Sequence, residues 1–513
     1  MSAPSRLRHF LSPTQSGRSG RLSARIAVLA LGATLSLTFP EPGLWWLGWV
    51  GLAPILIVIA RSPCRRESVI RGWFAGVGFL TALHYWVIPY TGIFTVLLAA
   101  FVGLFWLPLG LACWWGMRAG TALRRRSAAL VVIPSVWVVM EAVRSWEYLG
   151  GTWGLLGLSQ WQVEPLLQGA ALGGVWLLSF VMVTVNAALA LAILGGDSIN
   201  RRIGHVSLAL VLPLLLTVYG STRAEPLPSG VVSVGGVQPG VFDDRASRLD
   251  AHIENTRALA GDVDVDFVVW GQTSVAYDPL LDENVDERLQ AVTDLIGADL
   301  FVNVDARSET GIVKTTVQYT PDGPASESYG KRRLVPFGEY IPLRPLFGWV
   351  SDFTQAATQD RIRGQGPVVM QSAGVTVGPL ISYESTFPDM RRELARLDVD
   401  LTVVQGGTQT FQGSWAQPQQ ASYEAVRAVA SGRPAVLVAV SGVSAAFDSR
   451  GRLLMWHPAD QVGAFGVDVP LAKEDTPYVR FGDWVVWLAL AVVTVTIAQA
   501  MIRHQRTRGY PRP

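Results

Sequence analysis

The stretch Tyr329-Gly330-Lys331-Arg332-Arg333-Leu334-Val335-Pro336-Phe337-Gly338-Glu339-Tyr340-Ile341-Pro342 stands apart from a chain that is otherwise strongly apolar. It holds a lysine, a glutamate eight residues later, two prolines and two glycines. Proline fixes φ and glycine admits positive φ, so the segment is predicted to be a shaped loop rather than a regular helix or strand. A loop that fixes Lys331 and Glu339 relative to one another suits the wall of an active site. The alternative is a solvated turn carrying surface charges.

Outward from this loop the composition changes sharply. Half of the 513 residues are hydrophobic and only 16% are charged, against about 25% in a soluble domain; the mean hydropathy is +0.31. The apolar excess is gathered toward the two ends, in runs at 26–40, 45–60, 73–89, 93–117, 128–143, 172–194, 203–219 and 484–502. These are near the length that crosses a hydrocarbon core. Arginines cluster in alternate connections: Arg61, Arg65, Arg66 and Arg71; Arg118, Arg124, Arg125 and Arg126; Arg201 and Arg202; and Arg503, Arg506, Arg508 and Arg512. With the N-terminus inside, all of them fall on the cytoplasmic side.

The expected organisation is therefore a cytoplasmic tail (1–24), a transmembrane bundle of seven spans (25–220), an extracytoplasmic domain (221–482), and a last span with a second tail (483–513). The polar, Arg-rich start lacks a cleavage-site pattern and reads as a tail rather than a removed signal peptide. A net charge of +2 argues against nucleic acid as a partner. Two cysteines, Cys64 and Cys113, form neither a metal pattern nor a disulfide pair.

Within 221–482 the pattern becomes short β-branched runs at 231–234, 267–270, 300–304, 375–381, 401–404 and 435–440, bounded by Gly, Pro, Asp and Ser. Helical patterns lie between some of them, at 245–260, 282–296, 389–397 and 417–430. Nearly continuous apolar strands alternating with helices predict a layered α/β domain with a buried sheet. Polar residues follow two of these strands directly: Trp270-Gly271-Gln272-Thr273 and Ile381-Ser382-Tyr383-Glu384. Strand ends of this kind gather ligands and catalysis in α/β folds. The connection 144–168, with Trp146, Trp153 and Trp161 among four glycines, reads either as an interfacial aromatic loop or as a lip beside the external domain. His84 and Glu141, in or beside apolar runs, are functional candidates by default.

Taken in order, Trp-Gly-Gln-Thr, the Lys331–Pro342 block and Ser-Tyr-Glu, inserted between membrane spans, resemble the apolipoprotein N-acyltransferase family. The likeness extends over nearly the whole chain, to Trp137, Glu141 and Arg144, to Arg427 and Arg433, and to Thr476-Pro477-Tyr478 with Gly482. It implies a bundle of about eight spans carrying an external nitrilase-like α/β/β/α sandwich domain, in a bacterial plasma membrane. It also implies a ping-pong acyl transfer from a phospholipid donor to the N-terminal diacylglyceryl-cysteine of a lipoprotein, without a metal or organic cofactor.

In that family a Glu is the general base, a Lys stabilises the oxyanion and a Cys is the nucleophile, with a further Glu nearby. Lys331, Glu339 and Glu384 match the family's residues; Tyr383, Trp153 and Phe337 fall where substrate would be bound. Gln272 stands at the base position and Ser382 at the nucleophile position. The stretch Gly406-Gly407-Thr408-Gln409-Thr410 replaces the family's Asn-Asp-Ala-Trp-type segment.

A Gln amide has no titratable group. A hydroxyl is a weaker nucleophile than a thiol of pKa about 8.5 unless a base activates it. Loss of a general base typically costs about 10²–10⁴-fold. A Ser–His–acid triad would have to draw on His252 or His457, neither of which lies near a motif. A Ser382–Lys331 pair with Glu339 or Glu384 as base fits better, Gln272 serving as a hydrogen-bond partner.

Two functional expectations follow. One is an active N-acyltransferase. The other is a catalytically silent homologue that binds lipid or lipoprotein, or supports a partner membrane enzyme. By analogy with some actinobacterial relatives, that partner would be a polyprenol-phosphate mannosyltransferase. A soluble amidase of nitrilase type fits less well, since it needs the same Cys and Glu and no membrane spans.

Overall fold

A computed structural model of the chain describes residues 17–308, 311–352 and 360–508. The first sixteen residues of the expected N-terminal tail and residues 509–513 of the C-terminal one lie outside the described residues. All eight apolar runs are helical. Six helices are long and apolar enough to cross a membrane: Arg18–Thr38, Ile93–Gly116, Leu123–Arg144, Ala170–Leu194, Ile199–Thr222 and Trp484–Arg503. The other two runs fall on the shorter Leu47–Ala60 and on Arg65–Leu83. The latter begins with Arg65, Arg66, Glu67 and Arg71, so its charge keeps it outside a purely apolar definition. The two buried charges are paired within the bundle, Glu67 with Arg25 at 2.7 Å and with Arg71 at 3.2 Å, while Arg65 and Arg66 are exposed.

The α/β domain has twelve strands: β1 (Pro228–Gln238), β2 (Phe267–Trp270), β3 (Asp299–Ser308), β4 (Gly311–Thr320), β5 (Gly323–Gly330), β6 (Met370–Ser372), β7 (Val375–Ile381), β8 (Leu401–Gly406), β9 (Ala435–Ala439), β10 (Ser444–Phe447), β11 (Leu453–His457) and β12 (Gly463–Ala472). They form two six-stranded sheets, ordered β12-β1-β2-β3-β4-β5 and β11-β10-β9-β8-β7-β6. The pairs β1–β2, β2–β3, β7–β8 and β8–β9 are parallel, and antiparallel strands flank them.

Alternation along the strands sets the layers. On β2, Phe267 and Val269 point between the sheets, where they meet Val377, Ile381, Leu401 and Val403. Val268 and Trp270 point outward onto helices Arg245–Asp262 and Glu283–Ile296. Leu380 and Val404 face outward from the second sheet, onto Met390 and Leu394 of helix Pro388–Arg396. The result is the expected α/β/β/α sandwich.

Helix Ala416–Ser431 is buried along its whole length. It packs on β9 and β10 on one side and on the membrane helix Ala170–Leu194 on the other. Tyr423, Ala425 and Val429 belong to the same apolar core as Trp137, Leu156 and Val175, so core and bundle are continuous here. The aromatic loop closes the seam. Arg144 donates to the carbonyls of Trp153 (2.5 Å) and Gly154 (3.1 Å), and Glu141 accepts from the Leu156 N–H at 2.8 Å. Glu141 thus shapes the loop from inside.

Candidate active site

The site lies where β2, β5 and β7 end. β7 stops at Ile381, and Ser382 takes φ +48, which is unusual for a residue with a Cβ. A strained residue at a strand end marks a place where geometry has been kept for function. The chain then turns through Ser382–Thr386 into helix Pro388–Arg396.

Glu384 ties this elbow to the Lys331 loop. Its carboxylate is fully buried and accepts four hydrogen bonds: from the N–H groups of Arg332 (2.6 Å), Arg333 (3.0 Å) and Ile381 (2.9 Å), and from the Tyr329 hydroxyl (3.0 Å). Lys331 directly precedes one of these donors and Ser382 directly follows another. The two residues are therefore each one position from the same carboxylate.

Lys331 is itself fully buried. Its ammonium donates to Glu339 Oε1 at 2.7 Å and, more weakly, to Gln272 Oε1 at 3.5 Å. Gln272 Nε2 donates to the same Glu339 oxygen at 3.3 Å, and the Val335 N–H donates to Glu339 Oε2 at 2.9 Å. Burial alone would raise the pKa of Glu339. The ammonium groups of Lys331 and Lys314 outweigh it and hold the carboxyl below its ordinary range.

Gln272 is placed by its backbone, whose N–H donates to the Gly406 carbonyl at 2.9 Å. Gly406 follows Gln405, the register partner of Ile381, so the end of β2 lies against the end of the β7–β8 pair. Gly407 must lack a side chain, because a Cβ there would stand 2.8 Å from Gln272 Oε1. The Gly-Gly pair is thus the seat of the Gln272 amide.

Lysine 314 went unnoticed in the sequence. It is buried on β4, and its ammonium donates to Thr273 Oγ1 at 2.7 Å and to Asp305 Oδ1 at 3.0 Å. Burial lowers its pKa against the pull of Asp305. The signal was available in the period-2 row Lys314, Thr316, Gln318, a polar face on a strand within the domain. Thr316 and Gln318 do face inward: Thr316 donates to Gln405 Oε1 at 2.5 Å and Gln318 to the Gln371 carbonyl at 2.8 Å.

The remaining sequence candidates sit around this centre. Tyr383 is buried, its ring edge-on to Phe387 with centroids 5.0 Å apart. Its hydroxyl lies where a Cβ on Gly151 would be, at 2.2 Å, so this glycine (φ +71) lets the aromatic loop reach the elbow. Trp153 is packed into the seam, donating to Gln419 Oε1 at 2.6 Å with its ring against Trp86 and Tyr423. Phe337 adopts φ +63 in the turn between Lys331 and Glu339 and packs on Ile341 and Val350. His252 lies against Trp270, its Nδ1–H donating to the Arg248 carbonyl at 2.8 Å, and His457 on β11 meets Phe465 on β12. Neither ring hydrogen-bonds Ser382 among the described residues. His84 bonds the Leu80 carbonyl of its own helix at 3.0 Å.

Glu384 is a structural test of the site. A Gln amide in its place would turn one acceptor into a donor facing N–H groups. The Glu384→Gln variant is expected to lose about 1–3 kcal/mol of stability, seen as a lowered thermal midpoint, together with any acyl adduct on residue 382.

Two six-stranded sheets sandwiched between helices, with a lysine–glutamate pair and an elbow at the strand ends, define a carbon–nitrogen-hydrolase-type domain, here built onto a membrane bundle. Comparison with known proteins agrees. Residues 31–188 match the apolipoprotein N-acyltransferase N-terminal domain, and residues 282–473 match the carbon-nitrogen hydrolase family. The chain is 30% identical to the apolipoprotein N-acyltransferase of Pseudomonas putida over 94% of its length and 96% of that protein's. It is 28% identical to that of Azotobacter vinelandii over 98% of both. A CN-hydrolase superfamily protein from Xanthomonas campestris overlays 50% of the chain and 98% of its own, at 19% identity and a TM-score of 0.39. The chain belongs to the apolipoprotein N-acyltransferase family.

Proposed function

We propose that this protein transfers an acyl chain from a phospholipid to the N-terminal diacylglyceryl-cysteine of lipoproteins, through an acyl ester on Ser382, on the outer side of a bacterial plasma membrane. The observation that carries the reading is the Glu384 clamp, which draws the Lys331 loop and the Ser382 elbow onto one carboxylate.

The two glutamates take different roles in this reading. Glu384 is engaged by four donors and is a positioning residue. Glu339, with Lys331 and Gln272 on one oxygen, is the base. In the first half-reaction Ser382 Oγ attacks the ester carbonyl of the phospholipid while its proton passes to Glu339. The negative charge on the former carbonyl oxygen is met by the Lys331 ammonium. Collapse expels the lysophospholipid, which takes the proton from Glu339. In the second half the lipoprotein α-amine attacks the Ser382 ester, gives a proton to Glu339, and leaves as the amide as Ser382 Oγ is reprotonated.

One observation favours a silent homologue instead. Gln272 donates to Glu339 and so stabilises its ionised form, which makes a weaker base. In that reading the chain binds lipid or lipoprotein, or supports a partner such as a polyprenol-phosphate mannosyltransferase. The deciding assay incubates the purified protein with labelled phospholipid and a diacylglyceryl-cysteine peptide. An N-acylated peptide that is lost in Ser382→Ala supports the enzyme. No product, in a preparation that still binds the peptide, supports the silent homologue.

The orientation is tested by a natural thiol. Cys64 is exposed in the connection before helix Arg65–Leu83, which the proposal puts inside the cell. A membrane-impermeant maleimide is expected to label it only after lysis. A cysteine introduced at the exposed Ser326 of β5 is expected to react in intact cells. The reverse pattern would put the α/β domain in the cytoplasm.

A further inference from the structure

Thr273, the residue after Gln272, adopts φ +58. A β-branched side chain in that left-handed region is a genuine outlier. Such strain persists only where the surroundings over-determine it. Around Thr273 they do, because each of its polar groups is engaged by a different element. The N–H donates to Asn303 Oδ1 on β3 at 2.8 Å, the carbonyl accepts from Arg248 of helix Arg245–Asp262 at 3.1 Å, and Oγ1 accepts from the Lys314 ammonium on β4 at 2.7 Å. Asn303 is fully buried and Lys314 nearly so.

In the β3–β4 register Lys314 stands opposite Asp305, and their ion pair is 3.0 Å long. A pair that only joined two strands would be complete there, yet the ammonium also reaches Thr273. Asp305 extends the connection on its other side. Its second oxygen lies 3.6 Å from the Arg361 guanidinium, and the Arg361 N–H donates to the Glu339 carbonyl at 2.8 Å. The Lys314 carbonyl accepts from the Lys331 N–H, also at 2.8 Å. Lys314 is thus connected to the backbone of Lys331 directly, to that of Glu339 through Asp305 and Arg361, and to the residue beside Gln272 through Thr273. Its side chain takes no part in the acyl-transfer steps.

The consequence falls on residue 272. Its N–H is fixed by the Gly406 carbonyl at 2.9 Å, and the peptide that follows it is fixed by the contacts of Thr273. The direction of its Cα–Cβ bond is therefore set from both sides. Released from Lys314, a threonine is expected to relax toward negative φ, which turns that peptide and swings the side chain of residue 272 off Glu339. We propose that Lys314 is a positioning residue that holds Thr273 in its strained conformation and thereby aims the side chain of residue 272 at the Lys331–Glu339 pair. The placement is independent of acyl transfer; only its kinetic consequence rests on that reading.

The kinetic test is a double-mutant cycle in the full-length Gln272→Glu, Ser382→Cys protein, where residue 272 carries a carboxylate. Lys314→Met removes the ammonium. Thr273→Val keeps the β-branch and every charge and loses only the hydroxyl. Each is expected to slow the maximal rate of acyl loading at least about tenfold, with the half-saturating phospholipid concentration unchanged. Because the lysine acts through the threonine, the two changes together are expected to cost no more than either alone. Undiminished rates, losses that multiply, or a change confined to the half-saturating concentration would each overturn the proposal. Crystal structures of the natural protein carrying Lys314→Met or Thr273→Val need no activity. Gln272 Nε2 is expected to leave hydrogen-bond reach of Glu339, and an amide still in place would overturn the proposal as well. If the Gln272→Glu, Ser382→Cys protein loads no acyl chains, the acyl-transfer reading fails and the crystal structures alone decide the positioning. Should Lys314→Met fail to fold, Thr273→Val decides.

Discussion

The double variant Gln272→Glu, Ser382→Cys is expected to load acyl chains from phospholipid at least about 10²-fold faster than the natural protein. The two changes act on one step. A thiol offers a far larger reactive fraction near neutral pH than a serine hydroxyl, and a carboxylate at position 272 can accept the proton that an amide cannot. The structure accommodates the change at position 272. The Gln272 side chain already reaches Lys331 and Glu339, so an isosteric glutamate would enter the same contacts, with Gly407 beneath it.

The new carboxylate would stand 3.3 Å from Glu339 along the present hydrogen bond, so one of the pair is expected to hold a proton. A shared proton also serves acid–base catalysis. The single variants separate the terms. Ser382→Cys alone is expected to gain from the thiol and still lack a second base. Gln272→Glu alone is expected to gain less. Quench-flow with labelled phospholipid measures all three.

The second large effect concerns Lys331. Replacing it with methionine leaves Glu339 as a buried carboxylate with only the Val335 N–H and the Gln272 amide. Breaking a buried ion pair from one side costs about 3–5 kcal/mol, so Lys331→Met is expected to lower the unfolding midpoint by several degrees and to abolish acyl loading. A second variant separates stability from chemistry. In Lys331→Met, Glu339→Gln no buried charge is left unpaired, so most of the stability is expected to return while activity does not.

The pair has a pH signature as well. The folded-state pKa of Glu339 is held below its ordinary value of 4.5. Its contribution to stability is therefore fully present above about pH 4.5 and is lost as pH falls through the lower, folded value. Thermal midpoints of the natural protein are expected to be insensitive to this pair from pH 8 to 5. In Lys331→Met burial is no longer offset by the Lys331 ammonium and the carboxyl pKa rises; once it passes the ordinary value the sign reverses, and stability is expected to fall as pH rises above about 4.5 rather than as it drops below.

Much of this could be read before any coordinates, for physical reasons. Spans are long and must be apolar, and the parallel strands β2, β7 and β8 are buried on both faces, so their residues are apolar without alternation. The strands β4, β5, β6, β10, β11 and β12 were not predicted. β5 reads Gly-Pro-Ala-Ser-Glu-Ser-Tyr-Gly and is largely solvated, so its composition resembles a loop. β4 turns polar side chains inward and thereby hid Lys314.

At the site, Lys331, Glu339, Gln272, Ser382 and Glu384 were all candidates from motif order; Lys331, Glu339 and Gln272 hydrogen-bond one another, and Glu384 binds the backbone next to Lys331 and next to Ser382. Their division of labour was not legible. Glu339 and Glu384 are equivalent as letters, and only the backbone N–H groups that converge on Glu384 support the proposal that it is the clamp and Glu339 the base. Trp153 shows the same limit. An exposed aromatic at a lip and a buried anchor at a seam have the same sequence, and its bond to Gln419, 266 residues away, could be found only in the folded chain.

The central claim is that the Ser382 oxygen carries the acyl group, and a direct measurement is peptide mass spectrometry after acid quench of the natural protein incubated with phospholipid alone. The account predicts a single acyl ester on the peptide containing Ser382, absent from Ser382→Ala and discharged when a diacylglyceryl-cysteine peptide is added. An unmodified residue 382 under conditions where the Gln272→Glu, Ser382→Cys protein becomes acylated would contradict it and leave the silent homologue as the reading.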